Sequence, residues 1–230
     1  VIAHRGASDR YPENTLGAFR GAAELGASWV ELDVRRTEDW ELVVRHDPDL
    51  LDAGLVVETV SAELPTSVPT LAASLELCLS LGLSVNVELK ALPTEPDHDP
   101  HHWIADAACG VVAEVAGESR AATILVSSFD PGHIERVRAR DPLVPTALLV
   151  IDPGDDPVAL AHRVAEAGHS ALHPWDPMVG EALVDAAHGA GLLVNVWTVD
   201  DPARMVVLAD LGVDGIVTNV PDVAVDALGG

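Results

Sequence analysis

The feature that most constrains this chain is an alternation that runs from end to end. Short β-branched runs stand at Val1–His4, Trp29–Arg36, Ser84–Lys90, Thr123–Ser128, Pro145–Ile151, Ser170–His173, Leu192–Val199 and Asp214–Asn219. Amphipathic, alanine-rich stretches lie between them, at Asn14–Gly26, Thr70–Gly82, His102–Gly117, Pro131–Arg140, Asp156–Gly168, Met178–Gly191 and Pro202–Gly212, with a last one after Pro221. Gly26, Gly82, Gly168, Gly191 and Gly212 fall where a helix C-terminus favours a residue that tolerates positive φ. Eight strands, each followed by a helix, in 230 residues predict a (β/α)8 TIM barrel. An open doubly wound sheet is the alternative, because alternation alone does not prove closure.

One segment departs from the pattern. After Trp29–Arg36, the polar turn Thr37-Glu38-Asp39-Trp40 leads into Glu41-Leu42-Val43-Val44-Arg45-His46, which reads as a hairpin and not a crossover. A turn centred between Asp39 and Trp40 would pair position 33 with position 46 and bring His46 beside Asp33. Residues 48–69 show no long helix and predict a small loop insertion over the barrel mouth. Residues 93–101 form a shorter acidic loop. With neither an internal repeat nor a break in composition, residues 1–230 read as one domain.

Composition narrows the partners. The formal charge is −24, from 13 Lys+Arg against 37 Asp+Glu, and such a chain is repelled by nucleic-acid phosphates and anionic lipid surfaces. A hydrophobic content of 48% argues against disorder. No apolar run reaches the ~18 residues of a membrane span, and no signal peptide is legible, so a cytoplasmic protein without stable membrane insertion is expected. Cys78 and Cys109 lie in apolar helical stretches and are expected to be buried free thiols. Lys90 is the only lysine.

In a (β/α)8 barrel the active site lies at the C-terminal ends of the strands. Polar residues end strands here at His4-Arg5, Glu31 and Asp33, Glu88 and Lys90, Ser127-Ser128, His173, Trp197 and Asn219. Charged residues are rarely buried unless paired or metal-bound, so this gathering is hard to explain by packing. Glu31 and Asp33, two residues apart, share a strand face, and Glu88 and Lys90 repeat the spacing on the next barrel strand. The three carboxylates would converge as hard oxygen donors for one divalent cation, Mg²⁺ or Ca²⁺, with Mn²⁺ a further candidate. The competing structural reading is an ion-pair network with Arg35, Arg36 and Lys90. His4 and His46 are the natural proton-transfer groups, and Arg5 and Lys90 supply positive charge for a phosphate.

These motifs converge. His4-Arg5-Gly6, Pro12-Glu13-Asn14-Thr15, Glu31-Leu32-Asp33, His46-Asp47, Asn86-Val87-Glu88-Leu89-Lys90, Ser127-Ser128-Phe129-Asp130, Val196-Trp197-Thr198-Val199 and Gly212-Val213-Asp214-Gly215-Ile216-Val217-Thr218-Asn219 resemble, in order, the motif set of the glycerophosphodiester phosphodiesterases. The resemblance implies a barrel of the phosphoinositide phospholipase C-like kind, a divalent metal, and hydrolysis of a small-molecule glycerophosphodiester to glycerol 3-phosphate and an alcohol. It implies His4 and His46 as the acid/base pair, Glu31, Asp33 and Glu88 as metal ligands, Arg5 and Lys90 as phosphate contacts, and Trp197 as the aromatic packed on the glycerol. Glu13 and Asn14 are implied supports, Asn14 with a plain alternative as a helix N-cap.

The chain also departs from the family pattern. Pro48-Asp49-Leu50-Leu51-Asp52-Ala53-Gly54 replaces an Arg-Thr-Thr-type stretch, and Asp39-Trp40 replaces Asp-Gly in the turn. Two other readings stand beside the first: a lysophospholipase D-type activity, with Leu50, Leu51, Leu55, Val56 and Val57 lining an acyl groove if they do not pack inside, and a non-catalytic phosphodiester-binding barrel.

Overall fold

The computed structural model describes residues 1–50, 54–152 and 156–229, so Leu51, Asp52 and Ala53 of the divergent stretch lie outside the described residues. In chain order the strands are β1 (Ile2–His4), β2 (Trp29–Arg36), β3 (Leu42–Val44), β4 (Ser84–Leu89), β5 (Ile124–Ser128), β6 (Thr146–Val150), β7 (Ala171–Pro174), β8 (Leu193–Val196) and β9 (Gly215–Thr218). The helices are α1 (Leu16–Glu24), α2 (Leu71–Ser80), α3 (Trp103–Ala116), the single turn α4 (Arg120–Thr123), α5 (Pro131–Arg140), α6 (Pro157–Glu166), α7 (Glu181–Gly189), α8 (Pro202–Asp210) and α9 (Pro221–Leu228). Each expected strand and helix is present, some trimmed at their ends.

The sheet closes. Its order is β1-β9-β8-β7-β6-β5-β4-β2, and β1 also pairs with β2 in parallel, which makes a (β/α)8 barrel and removes the open-sheet alternative. Pairing is uneven around the ring. β2 and β4 run together from Trp29–Ser84 to Val34–Leu89, while β8 and β9 meet only at Asn195–Gly215 and Val196–Ile216. The apolar shell divides in the same way: one cluster joins β1, β2, β4 and β5 to α1, α2 and α3, and a second joins β7, β8 and β9 to α6, α7 and α8.

Local chemistry explains the element starts. Asp130, Asp156 and Asp201 each precede a proline in the first helical turn, and each carboxylate accepts from a backbone N–H of that turn. Thr15 and Thr70 cap α1 and α2 through their hydroxyls, so Thr15, and not Asn14, is the N-cap. Gly26, Gly82, Gly168, Gly191 and Gly212 all adopt positive φ just past a helix, as their spacing predicts. Among its described residues, the segment between β3 and α2 holds no longer helix than the 3-10 turns at Val56–Glu58 and Ser61–Glu63. Within it, Leu50 and Val56 are buried with Val43 in a small cluster of their own, which leaves them unavailable as walls of an acyl groove.

The hairpin register differs from expectation by one residue. β3 pairs with β2 as Val34–Val44, Arg35–Val43 and Arg36–Leu42. Arg45 is therefore the residue opposite Asp33, its backbone N–H donating to the Asp33 carbonyl at 2.9 Å. The loop is a three-residue one, Glu38-Asp39-Trp40, closed by the Thr37 N–H to the Glu41 carbonyl, with Trp40 left-handed at φ 64°. Sequence alone suggested an even count because Trp40 carries no left-handed signal.

Candidate active site

The site is built from the ends of β1, β2 and β4. Register places Asp33 beside Glu88 and Glu31 beside Asn86 and His4, so that alternation sends all these side chains into the barrel while Val30, Leu32 and Val34 face the helices. Oxygens of Glu31, Asp33 and Glu88 lie within 4.8 Å of one another, and all three residues are buried. Sequence reasoning brought these three together, and they are together.

Their electrostatic environments differ. Burial, then the neighbouring charges of Asp33 and Glu88, pushes the Glu31 carboxyl well above its ordinary range. One of its oxygens, Oε2, accepts from the Arg5 backbone N–H at 3.0 Å; the other, Oε1, is buried with no hydrogen-bond partner among the described residues. Burial would also raise Asp33, but Lys90 and Arg5 outweigh it and hold this carboxyl well below the usual value. Lys90 Nζ stands 2.7 Å from Asp33 Oδ1 and bonds Glu88 Oε1, and the Arg5 Nε lies 3.2 Å from Asp33 Oδ2. Burial raises Glu88 too, against the pull of Lys90.

The competing ion-pair reading is thus met in part. Lys90 does pair with the carboxylates, but Arg35, fully buried, turns to Asp97 at 2.7 Å, to Glu95 at 2.6 Å and to the His46 carbonyl at 2.7 Å. Arg36 lies over the Trp40 ring, 4.4 Å from its centroid. A buried, unpartnered carboxylate oxygen inside a ring of three acidic groups is an arrangement that a hard divalent cation would satisfy. Glu31, Asp33 and Glu88 are the residues that would hold it.

Both histidines have a defined tautomer. His4 Nδ1 donates to Asn219 Oδ1 at 2.7 Å, and Asn219 is itself fixed by donating from Nδ2 to Asp200 at 2.7 Å. That leaves His4 Nε2 facing the site, 3.9 Å from Glu31 Oε2, and burial lowers the basicity of the ring. His46 reaches the same cavity despite the register shift, since it lies past the last β3 pair and is aimed by its own bond from Nδ1 to Asp47 Oδ1 at 2.7 Å.

The remaining expected residues fall around this centre. Glu13 takes the Arg5 guanidinium at 2.9 Å. Asn14, at φ 57°, is buried and grips Asp33 twice, donating to Oδ2 at 2.8 Å and accepting from its backbone N–H at 3.3 Å. Trp197 donates to the His173 carbonyl at 2.7 Å and meets Phe129 edge-on at 5.5 Å. His4, Arg5, Glu31, His46, Glu88, Lys90, Phe129, His173 and Trp197 line one cavity of about 140 Å³. Sequence reasoning missed Asp200 altogether and gave Asn219 no contact with His4. An Asp in a loop has no periodic signal, and only tertiary closure reveals its partner.

Solved structures give the class first. The barrel superposes on a phosphodiesterase from Oleispira antarctica, in complex with the product sn-glycerol-3-phosphate, with a TM-score of 0.84 and 25% identity over 100% of this chain and 96% of the other. It also superposes on the glycerophosphodiester phosphodiesterase of Thermotoga maritima, with a TM-score of 0.79 and 26% identity over 98% and 96% of the two chains. The glycerophosphodiester phosphodiesterase of Caldanaerobacter subterraneus subsp. tengcongensis is 31% identical over 248 residues, covering 98% of this chain and 96% of that protein. The enzyme of that name from Bacillus altitudinis is 30% identical over 247 residues, with 98% and 96% covered. The model of the glycerophosphoryl diester phosphodiesterase family matches residues 4–223, and the chain belongs to that family.

Proposed function

We propose that this enzyme hydrolyses glycerophosphodiesters to glycerol 3-phosphate and an alcohol with a divalent cation held by Glu31, Asp33 and Glu88. The observation that carries this reading is the meeting of those three carboxylates, within 4.8 Å of one another, at a cavity lined by Glu31 and Glu88 together with His4, Arg5, His46 and Lys90. The small volume, about 140 Å³, lies below the ~300–1,000 Å³ typical of sites that enclose drug-sized ligands and suits a glycerol phosphate better than an acyl chain. A bound cation would act there as a Lewis acid toward a phosphoryl oxygen.

The chain's own residues do the rest. Arg5 and Lys90 offset the charge that grows on the phosphoryl oxygens. His4, held neutral by burial and aimed by Asn219, takes the proton of the attacking oxygen at Nε2. His46, whose Nδ1–H is bonded to the Asp47 carboxylate, gives a proton from Nε2 to the leaving alkoxide. Trp197 and Phe129 form the apolar wall against which the glycerol carbons rest.

Leaving-group chemistry separates the two histidines. His46→Ala should lower kcat on glycerophosphocholine by ~10²–10⁴-fold and yet retain most activity on a glycerophosphoryl nitrophenyl ester, whose leaving group needs no proton. His4→Ala should lose both. The opposite pattern would reverse the roles, and wild-type turnover unchanged by chelation with EDTA would remove the cation from the reaction.

A further inference from the structure

Outside the acidic mouth, a second group of metal-ligating side chains gathers where the loop before α3 meets the start of α5. One donor atom from each of His102, Asp130 and His133 lies within 4.8 Å of the others. His102 Nδ1 is 3.9 Å from Asp130 Oδ2, and the two imidazoles meet edge to face with centroids 4.9 Å apart.

The state of His133 makes this more than a chance grouping. The residue is fully buried, yet its Nε2 has no hydrogen-bond partner among the described residues. Its other nitrogen is committed. The Ser128 hydroxyl donates its proton to the Leu89 carbonyl at 2.8 Å, so at 3.3 Å from His133 Nδ1 it can only accept. That fixes the proton on Nδ1 and leaves a bare lone pair on Nε2, the tautomer of a metal-ligating histidine. His102 Nδ1 is likewise buried and unpartnered.

The other parts are in place. Asp130 spends Oδ1 on the Gly132 N–H at 2.8 Å and keeps Oδ2 toward His102. Gly132 lets the His102 ring approach: a Cβ there would lie 2.4 Å from His102 Nε2. The side chains of His102 and Asp130 are 28% and 15% exposed, which gives an ion a way in from solvent.

We propose that His102, Asp130 and His133 form a second divalent-metal site, distinct from the acidic one. Two imidazoles and a carboxylate favour a borderline ion such as Zn²⁺ over Mg²⁺ or Ca²⁺. An ion there ties the β4–α3 loop to α5 and, through His133 and Ser128, to the Leu89 carbonyl between Glu88 and Lys90.

The test is calorimetric titration of metal-stripped full-length protein with Zn²⁺ in a large excess of Mg²⁺. One equivalent should bind to the wild type and to Glu31→Gln, and at least tenfold more weakly to His102→Ala and to Asp130→Asn, whose asparagine keeps the helix cap. Co²⁺ should give visible absorption bands in the wild type that are absent in His102→Ala. Because His133→Ala removes a buried ring and risks the fold, the partly exposed His102 carries the test. Zn²⁺ uptake that survives His102→Ala, or that is lost in Glu31→Gln, overturns the proposal, as does no uptake by the wild type.

Discussion

Glu31 is held at an electrostatic cost. It is buried beside two further carboxylates, and one of its oxygens lacks a partner among the described residues. Glu31→Gln removes one like charge and keeps an acceptor for the Arg5 N–H. The metal-free variant should therefore melt about 2–4 °C above wild type, which is on the order of 1 kcal/mol for a chain of this size. The rise that Mg²⁺ gives to the wild type should vanish in the variant, and both effects are read by differential scanning calorimetry. His173 makes a second residue-scale case. Burial lowers its imidazole to about 3, and Asn195 Nδ2 donates to its Nε2 at 2.9 Å. Between about 6.5 and about 3 the unfolded chain binds a proton that the folded one refuses. The contribution of His173 to stability is thus full above about pH 6.5 and is lost as the pH falls toward 3. The urea midpoint should fall between pH 7 and pH 4, and His173→Gln, which keeps an acceptor for Asn195, should flatten that slope.

At the scale of elements, the turn after β1 matters most. Arg5 is left-handed at φ 56°, which aims its N–H at Glu31, and Gly6 follows at φ 84° against the backbone of α1. A Cβ on Gly6 would meet the Ala18 carbonyl carbon at 2.6 Å, so the clash is with main chain that cannot rotate away. Gly6→Ala should cost about 2–5 kcal/mol in urea denaturation, from the left-handed conformation and the overpacking together. The elements themselves were legible because caps, glycines and β-branched runs are local signals. Glu31, Asp33 and Glu88 were legible because a two-residue spacing fixes a strand face whatever the strand's neighbours. The β2–β3 register was not, because it depended on whether Trp40 would accept a left-handed backbone. Asn14 carried two readings, a site support or a helix cap; Thr15 takes the cap while Asn14 grips Asp33, and Asp200 steadies Asn219 from another loop. Pairings between distant loops leave no period in the chain.

At the scale of the molecule, the barrel is one ring of hydrogen bonds with a long, fully paired side at β2–β4 and a short side at β8 and β9, whose ladders with each other and with β7 and β1 hold two residue pairs apiece. In the shell beneath it, β8 and β9 share one large apolar cluster, separate from the one that holds β2 and β4. Local unfolding begins where few bonds must break, so this barrel has a seam. Native-state hydrogen exchange should find the amides of β8 and β9 opening at lower free energy than those of β2 and β4; equal protection would mean that the ring opens only as a whole. Asn219, which steers His4, follows directly after β9. Each brief parting of that seam would pull Asp200 away from Asn219 and slacken the tether of the imidazole while leaving the acidic cage on the far side intact, so the proton-handling half of the site would fray on a faster clock than the half built to hold charge.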